Sequence, residues 1–210
     1  MSHKAVRIGV TGGICTGKST VARQLAGLLG FELLDLDQVA HELMKRGEEG
    51  WKRIVEAFGT SILGPDGEIQ RKRLGALVFY DAEKRKVLEG ILHPLVEMKM
   101  QEAFSKAKGG IVVDAPLLIE KGTFREMDVV VLVYVEETVQ LKRLMERDGL
   151  SEEEALRRIR SQMPLLEKVA YAHYLVNNSY DLQYTEEQVL KVYKAIRQTI
   201  GGAHGGPAPV

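Results

Sequence analysis

Cysteine is nearly absent from this 210-residue sequence, which contains only Cys15. A single cysteine excludes an intrachain disulfide framework, and it has no zinc-like spacing with any of the five histidines. A chain without disulfides suits a reducing compartment, so we expect a cytoplasmic protein.

The formal net charge is zero, because 29 Lys and Arg residues balance 29 Asp and Glu residues. This balance excludes an overall field that recruits nucleic acid, so we expect no nucleic-acid partner. The sequence also lacks any run of about 18 uncharged apolar residues, the length that a membrane-spanning helix needs. We therefore expect no membrane partner and no export signal.

The composition is that of a globular protein, with 45% hydrophobic and 28% charged residues. The length suits one domain with insertions, since single domains commonly extend to roughly 250 residues. We expect a monomer or a weak homo-oligomer. Residues 201–210 are mainly Gly, Pro and Ala, which predicts a flexible tail.

Five short apolar runs predict β-strands, because polar or turn residues bound each of them. These runs are 6–10, 31–34, 111–113, 129–135 and 174–176. Between the first two, apolar residues recur at helical spacing before Gly30, a suitable C-terminal cap. Strands that alternate with helices predict an α/β fold with a doubly wound, parallel five-stranded sheet.

The last helix is predicted to begin near Thr185 and Gln188, which have the spacing of a capping box. The apolar residues that follow share one helical face; they are Val189, Val192, Tyr193 and Ile196.

Two helical segments are predicted additions to the sheet, at about 59–108 and 140–169. The nucleotide-binding core would then comprise about 4–58, 109–139 and 170–200. In the first addition, four residues share one helical face: Leu88, Ile91, Leu92 and Leu95. The second addition is rich in arginine and carries a capping-box pair, Ser151 and Glu154, before a helix. We interpret it as a mobile lid.

A glycine-rich loop follows the first predicted strand and opens the first helix. Its residues Gly12, Gly17, Lys18 and Ser19 have the spacing G-x-x-x-x-G-K-[ST] of a P-loop. Loop amides cradle phosphate in this motif, the lysine pairs with β and γ oxygens, and the hydroxyl ligates Mg²⁺. The sequence therefore predicts a P-loop phosphotransferase that binds ATP. The nucleotide-binding residues would be Gly13, Ile14, Cys15, Thr16, Gly17, Lys18, Ser19 and Thr20.

Carboxylates end two predicted strands, at the sheet edge where ligands bind in open α/β folds. Asp35 and Asp37 follow the second strand, and Asp37 is our candidate base for a hydroxyl acceptor. Helix capping is the alternative role for both residues. Asp114 ends the third strand, where a Mg²⁺-binding carboxylate is expected, although a simple turn residue also suits this position.

Basic residues complete the candidate site. Arg143 and Arg147 follow the fourth strand closely and are placed to meet phosphate, whereas the arginines at 157, 158 and 160 suit a solvated helix face. His93 is ambiguous by itself, because the adjacent Pro94 simply suits the first turn of a new helix.

Together these features resemble the dephospho-coenzyme A kinase family over nearly the whole chain. The matching stretches are 10–14, 35–37, 66–71 with Leu74 and 78–79, 92–95, 114–120, and 140–143 with 147–151. Each stretch beyond the P-loop is weak alone, but their order and spacing are specific. The resemblance implies transfer of the ATP γ-phosphoryl group to the ribose 3′-hydroxyl of dephospho-CoA, the last step of coenzyme A synthesis.

By matched position, the resemblance also implies residue roles. Asp37 would be the base, and Lys18 and Arg143 would stabilise the transferring phosphoryl group. Ser19 and Asp114 would hold Mg²⁺, while Arg147 and Asn178 would contact the nucleotide. The acceptor site would include Thr11, Asp37, Arg71, His93, Pro116 and Leu117, with 59–108 as the acceptor domain.

Three stretches depart from the family pattern. Cys15 replaces the usual Gly, at a loop position that often needs an unusual backbone angle. Residues 172–178 lack the usual acidic residues, although Asn178 matches. Residues 163–166 replace a more polar lid stretch and leave Lys168 as its charged contact.

Other functions share this core chemistry. A kinase for a nucleoside or another metabolite would use the same P-loop, arginines and aspartates, and only the acceptor segment distinguishes it. A non-catalytic nucleotide-binding switch is a further alternative, although no Asn-Lys-x-Asp stretch follows a late strand to read guanine.

Overall fold

A computed structural model describes residues 5–79 and 81–201 of the chain. The predicted flexible tail therefore lies outside the described residues, except for Gly201 at the end of the last helix. The chain divides into two compact units. Unit 1 contains the described residues up to Asp35 and from Ala107 onward, and unit 2 is Leu36–Lys106.

A parallel five-stranded sheet with the order β2-β3-β1-β4-β5 forms the centre of unit 1. The strands are β1 Val6–Gly12, β2 Glu32–Asp35, β3 Gly110–Asp114, β4 Val129–Tyr134 and β5 Tyr174–Asn177. β3 is buried at every position and β4 at every position but its last, which explains why both are nearly continuous apolar runs. The predicted fold class is confirmed, with strand ends shifted by one or two residues.

α-Helices follow every strand except β3, after which a short 3₁₀ helix at Thr123–Glu126 precedes β4. The α-helices are α1 Lys18–Leu29, α2 Leu36–Leu43, α3 Glu49–Phe58, α4 Arg71–Phe79, α5 Ala82–Lys106, α6 Glu137–Asp148, α7 Glu152–Arg160, α8 Leu165–Lys168 and α9 Leu182–Gly201. In the described part of the chain, none of these is long and apolar enough to cross a membrane.

The core of unit 1 lies where α1 and α9 cover the sheet. Its fully buried members include Ile8, Leu25, Val131 and Ile196, drawn from both helices and two strands. The predicted C-terminal cap of α1 is confirmed, because Gly30 adopts a left-handed backbone and its N–H bonds to the end of the helix. This packing fixes the loop between β1 and α1 at the carboxyl edge of the sheet.

The predicted start of the last helix is wrong. α9 begins at Leu182, and Asp181 Oδ1 accepts a hydrogen bond from Tyr184 N at 2.8 Å, as an N-cap does. Thr185 lies one turn inside the helix with its side chain buried. Gln188 instead bonds the backbone N–H and carbonyl of Asn177. Both side chains thus connect α9 to the end of β5.

Unit 2 is helical and has its own apolar cluster around Ile54, Ile62, Ile69 and Leu74. The predicted face of α5 is confirmed, since Leu88, Ile91 and Leu92 pack on this cluster and Leu95 is buried. Unit 2 begins at Leu36, whereas the sequence had suggested position 59, because α2 and α3 pack on α5.

From the sequence, Pro94 suits the first turn of a new helix. In the structure it lies inside α5 instead. A proline there removes the N–H that would bond the carbonyl of Gly90. Gly90 is exposed, so water can satisfy that carbonyl. His93 therefore lies in the middle of a continuous helix.

Candidate active site

The P-loop, residues 12–20, connects β1 to α1 and presents the start of that helix. Gly17 precedes α1 with a φ of +82°, and a Cβ at this position would lie 2.1 Å from Asn178 Nδ2. Only glycine suits both conditions. No side chain caps α1 and its first turn has no acidic residue, so its amides and the positive end of its dipole suit an anion.

Cys15 has a φ of +58°, and it is the sole residue other than glycine with positive φ in the described chain. A left-handed conformation costs an L-residue about 1–2 kcal/mol. The predicted unusual backbone angle at this position is therefore confirmed. Burial raises the pKa of the Cys15 thiol and Asp148 raises it further, while Arg147 and Arg143 oppose the shift. At a given pH the thiol therefore contains less thiolate than an unperturbed cysteine, although basic residues of α6 lie near it.

Lys18 and Asp114 form an ion pair at the centre of the site. Lys18 Nζ lies 2.8 Å from Asp114 Oδ1, with the two side chains 12% and 1% exposed. The same ammonium lies 3.5 Å from Ser19 Oγ. The sheet places Asp114 in register with Val10 and with Asp35, so the ends of three strands meet here. The structure thus brings together Lys18, Ser19 and Asp114.

This donor set fits Mg²⁺. A hydroxyl oxygen from Ser19 and a carboxylate from Asp114 are the hard ligands that Mg²⁺ prefers, and the Lys18 ammonium already lies against both side chains. Within residues 5–79 and 81–201, no three His, Cys, Asp or Glu side chains gather as a metal cage. Mg²⁺ in phosphotransferases usually takes one or two carboxylates and completes its shell with substrate phosphates and water.

Two glutamines from the predicted lid hold the P-loop at Ile14. Gln140 Nε2 donates to the Ile14 carbonyl at 2.7 Å, and Gln162 Oε1 accepts from the Ile14 amide at 2.8 Å. Gln140 is buried although it belongs to a largely polar helix. These contacts were missed as functional positions. For Gln140, the available sequence signal was its position one turn before the buried Leu144, on the same face of α6. For Gln162, no local sequence pattern indicated the contact.

Asn178 also supports the P-loop, through the Thr16 carbonyl. Its Nδ2 donates to the Thr16 carbonyl at 2.8 Å, and its Oδ1 accepts from Thr185 Oγ1 at 2.7 Å. Thr16 is fully buried and its own hydroxyl donates to the Gly13 carbonyl. Asn178 is thus next to the nucleotide-binding loop, as predicted, but its carboxamide bonds the loop backbone.

Basic residues of α6 lie beside the P-loop, since Arg143 and Arg147 both act electrostatically on the Cys15 thiol. Arg147 makes a two-point bond to Asp148, with Nε and Nη2 at 2.8 and 3.2 Å from its two oxygens. Arg158 joins the same carboxylate at 2.8 Å. Arg147 and Arg158 together hold the pKa of the Asp148 carboxyl below its usual range, the Arg147 hydrogen bond contributing most. Arg158 therefore belongs to a cluster rather than to a simple solvated face.

The loop after β3 carries Pro116 and Leu117, two of the predicted acceptor residues of unit 1. The Pro116 carbonyl accepts from the buried Thr11 hydroxyl at 3.3 Å and from Lys168 Nζ at 3.1 Å. Leu117 is 36% exposed. Lys168 had been expected as a charged lid contact, but its side chain is fully buried, so that expectation is wrong.

The remaining predicted residues belong to unit 2. Asp37 is exposed in the first turn of α2, and His41 follows it one turn later on the same face. Arg71 Nη1 donates to His41 Nδ1 at 3.1 Å, which requires the imidazole tautomer with its proton on Nε2. His93 is exposed on α5. His41 was not recognised from the sequence, because one histidine on a short helix gives no distinct signal.

The sequence profile of the dephospho-CoA kinase family matches residues 6–183. The chain belongs to the dephospho-CoA kinase family. This confirms the family that the sequence motifs predicted.

Curated relatives cover nearly the whole chain. The dephospho-CoA kinase of Geobacillus kaustophilus is 44% identical over 191 residues, which are 89% of this chain and 94% of that protein. The dephospho-CoA kinase of Carboxydothermus hydrogenoformans is 44% identical over 189 residues, or 88% and 91% of the two chains.

Solved structures agree in fold. A Thermus thermophilus crystal structure has a TM-score of 0.77 at 35% identity and covers 91% of this chain and 97% of its own. The dephospho-CoA kinase of Campylobacter jejuni has a TM-score of 0.61 at 28% identity, covering 92% and 98%. Shikimate kinase from Acinetobacter baumannii, at 21% identity and a TM-score of 0.54, shares the fold alone.

Proposed function

We propose that this protein transfers the γ-phosphoryl group of ATP, bound with Mg²⁺, to the ribose 3′-hydroxyl of dephospho-CoA. The products are CoA and ADP. The observation that carries the proposal is the Lys18 ammonium, 2.8 Å from the buried Asp114 carboxylate at an uncapped helix start, in a chain of the dephospho-CoA kinase family. With a single cysteine in the chain, we place the reaction in the reducing cytoplasm. We also propose that the enzyme is a monomer or a weak homo-oligomer.

The P-loop binds the phosphates of ATP. Amides at the start of α1 point at the β-phosphate, and the three donors of the Lys18 ammonium reach β and γ oxygens. Ser19 and Asp114 would hold Mg²⁺, which would supply further neutralisation of the phosphate oxygens. Arg143, on the helix next to the loop, stabilises the charge that spreads over the transferring group. Arg147 and Asn178 are the remaining residues that we assign to nucleotide binding.

Asp37 orients the acceptor hydroxyl and takes its proton. The 3′-oxygen then forms a bond to the γ-phosphorus, while the bond from that phosphorus to the β–γ bridging oxygen breaks and ADP leaves. Asp37 suits this role because it is exposed at the start of α2, two residues beyond Asp35 at the end of β2. We also assign acceptor binding to Arg71 and His93 of unit 2 and to Thr11, Pro116 and Leu117 of unit 1.

The decisive experiment measures ADP release with Mg-ATP and a panel of hydroxyl acceptors. The panel contains dephospho-CoA, adenosine, other nucleosides and shikimate, and mass spectrometry identifies each product. We expect turnover on dephospho-CoA, little on the others, and loss of activity in EDTA. Lys18→Ala is the control for contaminating kinases, because it removes phosphate handling whatever the acceptor is. Equal or faster phosphorylation of a nucleoside or of shikimate would exclude the proposed acceptor.

A further inference from the structure

Lys168, the last residue of α8, has a completely buried side chain. Lysine is almost never fully buried unless it is paired. Its Nζ donates to the Pro116 carbonyl at 3.1 Å and lies 2.8 Å from Glu120 Oε1. Lys168 therefore has one backbone partner and one charged partner, both in the segment that follows β3.

The buried negative charge of Glu120 is compensated by the Lys168 ammonium. Both of its carboxylate oxygens are buried, and neither has a hydrogen bond in the described part of the chain. The Lys168 ammonium is within ion-pair distance, although the angle is not that of a hydrogen bond. A buried carboxylate that lacks hydrogen bonds is strongly destabilising once its compensating charge is removed. The two charges are therefore interdependent.

The Pro116 carbonyl is the second partner, and it is shared. The hydroxyl of Thr11, at the end of β1, donates to the same oxygen at 3.3 Å. Thr11 is fully buried, so both donors reach Pro116 from the protein interior. This carbonyl joins three segments that are distant in sequence: the end of β1, the loop after β3 and the last turn of α8.

We propose that Lys168 is a positioning residue for dephospho-CoA, acting through the acceptor loop, defined as residues 115–120. This rests on the proposed function. Lys168 cannot touch a substrate, because no part of its side chain is exposed. Its bond to Pro116 instead fixes the loop that presents the partly exposed Leu117. The effect should therefore appear in the KM for dephospho-CoA and not in the KM for ATP.

Two variants separate positioning from stability. Lys168→Met preserves the length of the side chain but removes both the donor to Pro116 and the charge beside Glu120. We expect a lower Tm and a KM for dephospho-CoA raised about fivefold, the effect of one lost hydrogen bond. The double variant Lys168→Met with Glu120→Gln no longer buries an unpaired charge. Its Tm should return toward that of the wild type, while its KM for dephospho-CoA stays raised because Pro116 still lacks the donor.

Two further variants sharpen the test. Lys168→Arg keeps a charged donor and should recover part of the KM. Lys142→Met removes an exposed lysine of α6 whose ion pair, among the described residues, is a long one with Glu146, and it should change neither Tm nor KM. If Lys168→Met is too unstable to purify, the double variant carries the KM measurement.

The proposal is overturned if the double variant recovers both Tm and KM, because the pair is then purely structural. It is also overturned if KM for ATP rises as much as KM for dephospho-CoA. Failure of the proposed function can be distinguished from failure of the positioning role, because the wild-type protein itself would then turn over another acceptor. The same variants measured with that acceptor would still test the positioning role.

Discussion

Cys15 combines a left-handed backbone with a thiol whose pKa is raised by burial. Because alkylating reagents attack the thiolate, a raised pKa means less reactive thiolate at any given pH. We expect the rate of iodoacetamide labelling to inflect at higher pH in the native protein than in the urea-unfolded chain. Whole-protein mass spectrometry measures this directly, since the sequence has one cysteine.

Arg147 provides the control for this titration. It lowers the thiol pKa by its charge, so Arg147→Gln should move the inflection to still higher pH. Mg-ATP should slow labelling by covering the loop and by bringing negative charge to it. A native inflection at or below that of the unfolded chain would contradict the burial argument.

Asp37 is the residue on which the proposed chemistry depends most directly. Asp37→Asn keeps the shape of the side chain but removes the proton acceptor. We expect kcat to fall about 10²- to 10⁴-fold, the usual contribution of a general base, while KM for ATP changes by less than several-fold. Steady-state kinetics with each substrate varied in turn measure both quantities.

Glu42→Gln is the matched control for Asp37→Asn, because it neutralises another exposed carboxylate of α2. It should leave kcat unchanged. An unaltered kcat in Asp37→Asn would remove Asp37 as the base and leave it a favourable interaction with the positive end of the α2 dipole.

At the scale of whole elements, α9 shows how local signals can mislead. Thr185 and Gln188 have capping-box spacing, yet the helix begins three residues earlier and both side chains bond Asn residues at the end of β5. The actual cap, Asp181, has no partner at capping-box spacing, because residue 184 is a tyrosine. Tertiary hydrogen bonds decided between two equally plausible starts.

Two substitutions test this assignment. Asp181→Ala should lower the free energy of unfolding by about 1 kcal/mol and leave KM for ATP unchanged. Thr185→Val should instead raise KM for ATP about fivefold, because Asn178 loses a partner worth about 1 kcal/mol and then holds Thr16 less firmly. Urea unfolding and steady-state kinetics distinguish the two. A Thr185→Val variant that lost only helix stability would support the capping role suggested by its spacing.

Other elements were predictable in proportion to their periodicity. Five strands, α1 and the apolar face of α5 follow from runs and spacings that one stretch of sequence contains. The boundary of unit 2 could not be predicted from such local patterns. The helices α2 and α3 belong to unit 2 because they pack on α5, which begins far along the chain. Contacts such as Gln162 with Ile14 join residues 148 positions apart and have no local pattern.

For the whole molecule, the chain passes directly from the sheet of unit 1 into unit 2. Asp35 ends β2 in register with Asp114, and unit 2 begins with the next residue. Asp37 is therefore attached by a single intervening residue to the strand that neighbours the Lys18 partner. The proposed assignment of the nucleotide to unit 1 and of the acceptor to unit 2 would explain why the motifs of both functions alternate along one sequence.

This division predicts a specific pattern of hydrogen exchange. A non-hydrolysable ATP analogue with Mg²⁺ should protect amides of the P-loop and of 137–178, all in unit 1. Dephospho-CoA alone should protect α2 and α4 in unit 2, together with the acceptor loop, because Asp37, Arg71 and Leu117 are assigned to that substrate. Exchange measured by mass spectrometry reports both, since ligand binding slows local opening. Lys18→Ala should lose the first pattern and keep the second. If dephospho-CoA protected only unit 1, unit 2 would not be the acceptor domain, and the roles of Arg71 and His93 would fall with it.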